Sequence, residues 1–293
     1  MLVLGYLSVR FGLLEPGAAE AFHRFVIYLC LPATIWKLLP GMHFEPALWM
    51  VVAMPWLLLA LSALAILAVA RMRGYSRPVC GALLLCVPLG NTSFLGFPLV
   101  AALLGEPALR YAVLYDQLGS FLALSTYGLY IAARYGAGPD LTWAQTALRI
   151  LRFPPFVALL LAFTPLPRLP LLVPLWARLS DVLVPLAMFA VGMRLSWQPP
   201  RPFGAVLLGL GLKLALMPLV AYGLLRALSA PEPLLRVVVL EAGMPSMITA
   251  GAVAMLAGLA PELTAALVGY GVVIGIVSVP ALAWLLEWLA GGA

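Results

Sequence analysis

Apolar residues run along this chain in long unbroken stretches, and short polar interruptions divide them into ten segments. These are 1–14, 22–39, 47–70, 78–104, 108–133, 151–164, 171–192, 203–228, 234–256 and 263–289. A helix that crosses a bilayer needs about 20 mostly apolar residues. The pattern therefore predicts an all-α polytopic membrane protein with ten transmembrane helices. A membrane β-barrel would need ten-residue segments of alternating polarity, which the chain lacks. No basic stretch precedes Leu2 and no small-residue cleavage site follows the first segment, so it does not read as a signal peptide. Its shortness leaves open whether chain precedes it.

Two segments are interrupted in their middles. The fourth carries Val87-Pro88-Leu89-Gly90-Asn91-Thr92-Ser93-Phe94-Leu95-Gly96-Phe97-Pro98. Proline removes a backbone donor and clashes with the preceding turn, and glycine weakens a helix, so Gly90, Gly96 and Pro98 around an Asn-Thr-Ser cluster predict a break at mid-depth. Broken backbone at that depth is tolerated only where protein or a water-filled cavity surrounds it. The half-helix after the break turns free N–H groups towards that place, an arrangement suited to a carboxylate, with Asn91, Thr92 and Ser93 adding side-chain donors. The bland alternative is a proline-kinked helix whose polar cluster is satisfied by its neighbours. The ninth segment has its own interruption at Glu241-Ala242-Gly243-Met244-Pro245-Ser246-Met247, with Gly243 and Pro245 as its breakers. Pro185 follows Pro32 by 153 residues and Pro261 follows Pro107 by 154, and the second offset sets Asn91 opposite Pro245. Interruptions at matching places in two halves are the best sequence pointer to a transporter site. The chain is accordingly divided into repeats 1–140 and 141–293, each of five helices, an odd number that inverts one half relative to the other.

Composition sharpens this picture: 64% of residues are hydrophobic, 10% are charged and mean hydropathy is +1.08, values outside the range of soluble domains. The net charge of +6 comes from 17 basic residues scattered singly between apolar segments, which argues against nucleic acid as a partner. Counting Lys and Arg in the connections gives ten on the odd-numbered side and six on the other, Lys213 lying within a span. The positive-inside rule then puts the odd connections in the cytoplasm and both termini outside the plasma membrane. Cys30, Cys80 and Cys86 read as small apolar packers, and His23 and His43 as interfacial residues. No nucleotide, zinc-protease or serine-nucleophile motif is present, so neither an enzyme nor a cofactor or metal site is expected. Ionisable residues inside spans are costly and become functional candidates by default. Asp116, Glu241 and Lys213 are such residues, with a structural ion pair or a snorkelling side chain as the alternative; Lys213 could pair with either acid or hold an anionic substrate. Asp181, nearer a helix end, reads as structural.

At the two interruptions the sequence resembles the auxin efflux carrier family, which includes plant PIN auxin exporters and bacterial malonate and malate carriers. GNTSFLGFPLVAALLGEPAL is similar to that family's Asn-Thr-x-x-x-Gly-x-Pro segment, and AGMPSMITAGAVA to its second crossover. Weaker similarities, among them LCLPATIW, VPLAMFAVGMRL and KLALMPLVA, follow in order. The resemblance implies crossing helices 4 and 9, a scaffold of helices 1, 2, 6 and 7, and a transport domain of helices 3–5 and 8–10 that moves as an elevator. It assigns Asn91 to substrate contact and Pro245 to the second crossover, aligns Ser125 loosely with a substrate-facing position, and leaves open a homodimer through the scaffold. Gly90 stands where plant members have proline, the loop at 135–144 is short, and GYGVVIGIVSVP replaces a Ser-Thr-rich stretch. The expectation is a secondary transporter of a small carboxylate, with Pro245 and Ser246 completing the site. The rivals are a sodium- or proton-coupled carrier of the bile-acid symporter or antiporter type, weakened because only Glu241 borders a crossover, and a membrane sensor that kept the fold.

Overall fold

The computed structural model describes residues 1–15, 17–39, 46–136, 142–164, 172–193 and 203–291. His43, Arg168, Arg194, Arg201 and the expected boundary at 140 lie outside them. The described residues are all-helical. In chain order the helices are α1 (Leu2–Arg10), α2 (18–38), α3 (Leu48–Arg73), α4 (Arg77–Cys86), α5 (Thr92–Leu104), α6 (109–135), α7 (Trp143–Leu151), α8 (Pro154–Ala162), α9 (Val173–Met193), α10 (Phe203–Ala227), α11 (Glu232–Ala242), α12 (Ile248–Leu256) and α13 (Pro261–Gly291). Among them α3, α9, α10 and α13 are long and apolar enough to cross a bilayer unbroken. Apolar stretches that satisfy all their backbone groups internally form helices because lipid offers no other partner.

Local chemistry sets the ends. Gly74 and Gly105 take positive φ where α3 and α5 stop, a conformation cheap only for glycine. The predicted sixth span, 151–164, is α8, and α7 is a separate helix before it, because Pro154 and Pro155 permit a new first turn but not the continuation of an old one.

The interior divides into two apolar clusters. One gathers α2, α5, α8, α9, α11 and the ends of α10 and α13; the other gathers α4, α12 and the neighbouring parts of α3, α6, α10 and α13. Around the first, α9 packs on α1 and α2, and α2 packs on α8. Thr34 on α2 donates to Ser180 Oγ on α9 at 3.1 Å, and the Trp36 and Trp176 rings lie 5.1 Å apart. Cys30, Cys80 and Cys86 are buried and unbridged, as expected of packers. Asp181 meets Lys37 at 3.2 Å on the surface.

Candidate functional site

The two interruptions meet. Helix α4 stops at Cys86, residues 87–91 leave the helical path, and α5 starts at Thr92; α11 stops at Ala242 and α12 starts at Ile248. The strands of chain between them cross antiparallel, with Gly90 facing Ser246. The Asn91 N–H donates to the Pro245 carbonyl at 2.7 Å, and the Met247 N–H donates to the Leu89 carbonyl at 2.9 Å. Each break thus satisfies backbone groups that the other frees, the accounting that buried backbone demands. Pro245, which has no N–H to donate, serves as an acceptor.

Pro245 is seated on α13. A Cβ at Gly275 would lie 2.9 Å from its ring, and one at Gly271 3.3 Å. Gly271 and Gly275 of GYGVVIG therefore supply room for close approach, a role not evident from the sequence. The break is narrower than the motif predicts. Pro98 lies inside α5, behind a wide π-helical turn at Thr92–Gly96, and continues the helix instead of breaking it. Gly96 also sits within α5, and its use is space: a Cβ there would lie 2.5 Å from Glu241 Oε2.

Three ionisable side chains reach the crossing, where the sequence placed only Glu241 at its border. Asp116 of α6 is 2% exposed and accepts from Thr92 Oγ1 at 2.5 Å and Gln117 Nε2 at 2.7 Å. Lys213, in a π-helical turn of α10, brings Nζ over Gly90, where a Cβ would stand 2.9 Å from it. Glu241 is fully buried, and neither carboxylate oxygen has a hydrogen-bond partner. Lys213 forms no ion pair with either acid within 4.0 Å among the described contacts, so the direct pairing considered from sequence is not present.

Two cavities flank the crossing. The inner one is lined by Ser62, Gly90, Thr92, Ser120, Lys213 and Glu241 and offers about 10 Å³, room for roughly one water. The outer one, about 130 Å³, lies between α2 and the crossing. Ser93, Asp116, Gln117 and Thr249 give it polar points, and Ile27, Leu31, Phe94, Phe121, Phe153 and Met247 give it apolar walls. The Thr92–Asp116 bond stands between the two cavities, since Thr92 lines one and Asp116 the other.

Ser93 and Phe94 in the first turn of α5, and Met247 and Thr249 at the start of α12, line the outer cavity, so two helix starts border one space. Asn91, 1% exposed, has both amide atoms unpartnered at the crossing and lines neither cavity. Ser246 is buried at the crossing itself. Ser125 is half-buried and lines neither cavity, so the loose alignment that chose it places it outside both. Sequence reasoning missed Gln117, whose polarity in mid-span beside Asp116 was a usable signal. It also missed the position of His23, which is buried with its ring 4.3 Å from that of Phe94 instead of lying at an interface.

Residues 1–283 match the family described as membrane transport protein. An uncharacterized transporter of Methanothermobacter thermautotrophicus is 28% identical over 300 aligned positions, covering 96% of this chain and 93% of that one. An uncharacterized transporter of Methanocaldococcus jannaschii is 28% identical over 207, covering 67% of this chain and 66% of the relative.

Proposed function

Since the chain belongs to the membrane transport protein family, that of the auxin efflux carriers, we propose that it is a secondary transporter of small organic anions, with a carboxylate group bound beside the crossing. The observation that carries this reading is the pair of broken helices, tied to each other through backbone hydrogen bonds, whose two following half-helices start at one cavity. Such starts favour negative charge through their free N–H groups and aligned dipoles. Ser93 and Thr249 add hydroxyls at the cavity wall, and Asn91 waits at the crossing with its amide unpartnered.

The same reading takes the chain as ten spans in two inverted repeats, 1–140 and 141–293, in the plasma membrane with both termini outside. The offset of 154 gains support from the meeting of Asn91 with Pro245, since equivalent residues lie together near an axis that relates two inverted halves. In this scheme α1, α2, α8 and α9 are the scaffold, and the helices around the crossing move against it as an elevator.

The test is a thermal-stability screen of the purified protein against mono- and dicarboxylates, indole-3-acetate and malonate included, followed by flux into vesicles. A ligand of the folded state raises Tm by mass action. Stabilisation by a carboxylate in the absence of sodium, with flux, is the expected result; binding without flux would identify a sensor. A second reading, a cation-coupled carrier, is favoured by the unpartnered carboxylate of Glu241. Stabilisation by sodium alone would select it.

A further inference from the structure

A groove of about 310 Å³ opens at the helix ends, between the last turn of α5 and the first turns of α11. It is separate from the crossing: Glu232 opens α11 at one end, and Ala242 brings that helix to the break at the other, about 15 Å along the axis. Leu103, Leu104, Ala108 and Pro233 give the groove apolar walls, and Glu232 and Arg236 give it a polar end. The carboxylate of Glu232 is already engaged at both oxygens. Oε1 accepts from Arg236 Nε and Oε2 meets Arg226 Nη1, each at 3.2 Å. Arg226, in the last turn of α10, also donates from Nε to the Tyr222 hydroxyl at 3.2 Å. Two guanidiniums therefore share one carboxylate, and one positive charge is left over. Among the described contacts Arg236 uses only Nε, so its two terminal nitrogens keep their N–H donors. Glu106, on the turn beside Ala108, is bound to Lys37 and does not cancel that charge.

The depth of the groove in the bilayer defines what meets it. Trp49 at the start of α3 is 54% exposed, and Trp284 and Trp288 near the end of α13 are 67% and 65% exposed. Tryptophans laid bare at helix ends mark the level of the lipid headgroups. Successive spans run in opposite directions, so the end of α10, the start of α11, the end of α13 and the start of α3 share that side. A dissolved anion would satisfy the guanidinium and leave Leu103 and Leu104 facing water, whereas a hydrocarbon tail alone would cover the leucines and leave the charge unmet. A phospholipid answers both demands. Guanidinium donors match phosphate oxygens in a planar fork. The charge left over favours an anionic headgroup, because a zwitterionic one brings a cation to a place already positive. We propose that this groove is a binding site for an anionic phospholipid, its phosphate on Arg236 and the start of one acyl chain along Leu103, Leu104, Ala108 and Pro233, tying the end of α5 to the start of α11. The proposal requires the chain to lie in a bilayer and is independent of what the crossing carries.

Titration of the purified protein in detergent with phosphatidylglycerol or phosphatidylcholine of the same acyl chains tests this, with retained lipid counted by native mass spectrometry and Tm followed alongside. The expected result is a phosphatidylglycerol molecule retained about fivefold or more over phosphatidylcholine, the scale set by one arginine at a lipid surface. In Arg236→Gln that preference falls to about twofold or less. Arg71→Gln, which removes an exposed charge at the opposite end of α3, leaves it unchanged. Ala108→Phe narrows the groove without touching a charge and lowers the retention of phosphatidylglycerol. Equal retention of the two lipids by the wild type overturns the proposal. A loss in Arg71→Gln as large as that in Arg236→Gln reduces the effect to general surface charge and overturns the assignment to the groove. Inorganic phosphate that raises Tm as phosphatidylglycerol does, and only while Arg236 is present, would make this a site for a free anion and overturns the lipid. Should Arg236→Gln not fold, the wild-type comparison and Ala108→Phe decide, since undiminished retention in Ala108→Phe places the lipid elsewhere.

Discussion

Asn91 keeps both ends of its amide unpartnered while 1% exposed, although buried polar groups are nearly always paired. On the proposed function this is a ligand residue held ready at the crossing. Asn91→Ala should therefore weaken carboxylate binding by roughly 1–3 kcal/mol, the scale for losing one partner of a buried charged group, with the melting curve little changed. An unaltered affinity would take Asn91 out of the site. Asp116, anchored by Thr92 and Gln117, is the acid bordering the larger cavity. If it carries a coupling proton, Asp116→Asn makes uptake independent of pH; a pH profile unchanged from wild type would pass that role to Glu241 or to none. The ionisable residues were legible one by one, because a charge in an apolar run stands out. Their convergence was not, since Asp116, Lys213 and Glu241 lie on three different helices and only the packing around the breaks brings them together. Gln117 escaped notice because the polarity of a neutral amide in mid-span, though usable, is a weaker signal than a charge.

At the scale of the helix, three prolines tell one story. Pro32, Pro98 and Pro218 each lie two residues beyond a π-helical turn, at Val26–Cys30, Thr92–Gly96 and Leu212–Leu216. A proline clashes with the carbonyl four residues before it, and at all three sites that carbonyl belongs to the widened turn, which takes up both the clash and the missing donor. This is why Pro98 does not break α5, and why the motif overstated the length of the interruption. What was legible was the place of each break, at Pro88-Leu89-Gly90 and Gly243-Met244-Pro245, where nothing upstream relieves the strain. The widened turn also carries Gly96 to the carboxylate of Glu241. Gly96→Ala should cost about 1–3 kcal/mol by overpacking, and less in a Glu241→Ala background, because the colliding group is then gone. Equal costs in the two backgrounds, read from unfolding of the four proteins of the cycle, would place the strain elsewhere.

Across the molecule, two apolar clusters meet at the crossing, one around α5 and α11 and the other around α4 and α12. The all-helical fold and its apolar spans were legible from segment length alone; the division of the interior was not, because it depends on which half-helices share a side of the crossing. Lys37 on α2 binds Glu106 at 2.5 Å, on the turn between α5 and α6, and Asp181 on α9 at 3.2 Å. On the elevator reading the Lys37–Glu106 contact joins scaffold to moving part, so Lys37→Met should change the transport rate, though by no more than about fivefold given the small worth of exposed pairs. A larger change in vesicle flux would show that Lys37 does more than fasten. The crossing also bears on how the protein is made. Leu89 and Asn91 find their backbone partners in Met247 and Pro245, and Pro245 is synthesised 154 residues after Asn91. At ribosomal speed that interval is on the order of ten seconds, during which the first break has entered the bilayer without its complement. Produced alone, residues 1–140 should be cleared by membrane proteases, and co-production of 141–293 should rescue them; equal accumulation with and without the second half would mean that something other than the ninth span shelters the nascent break.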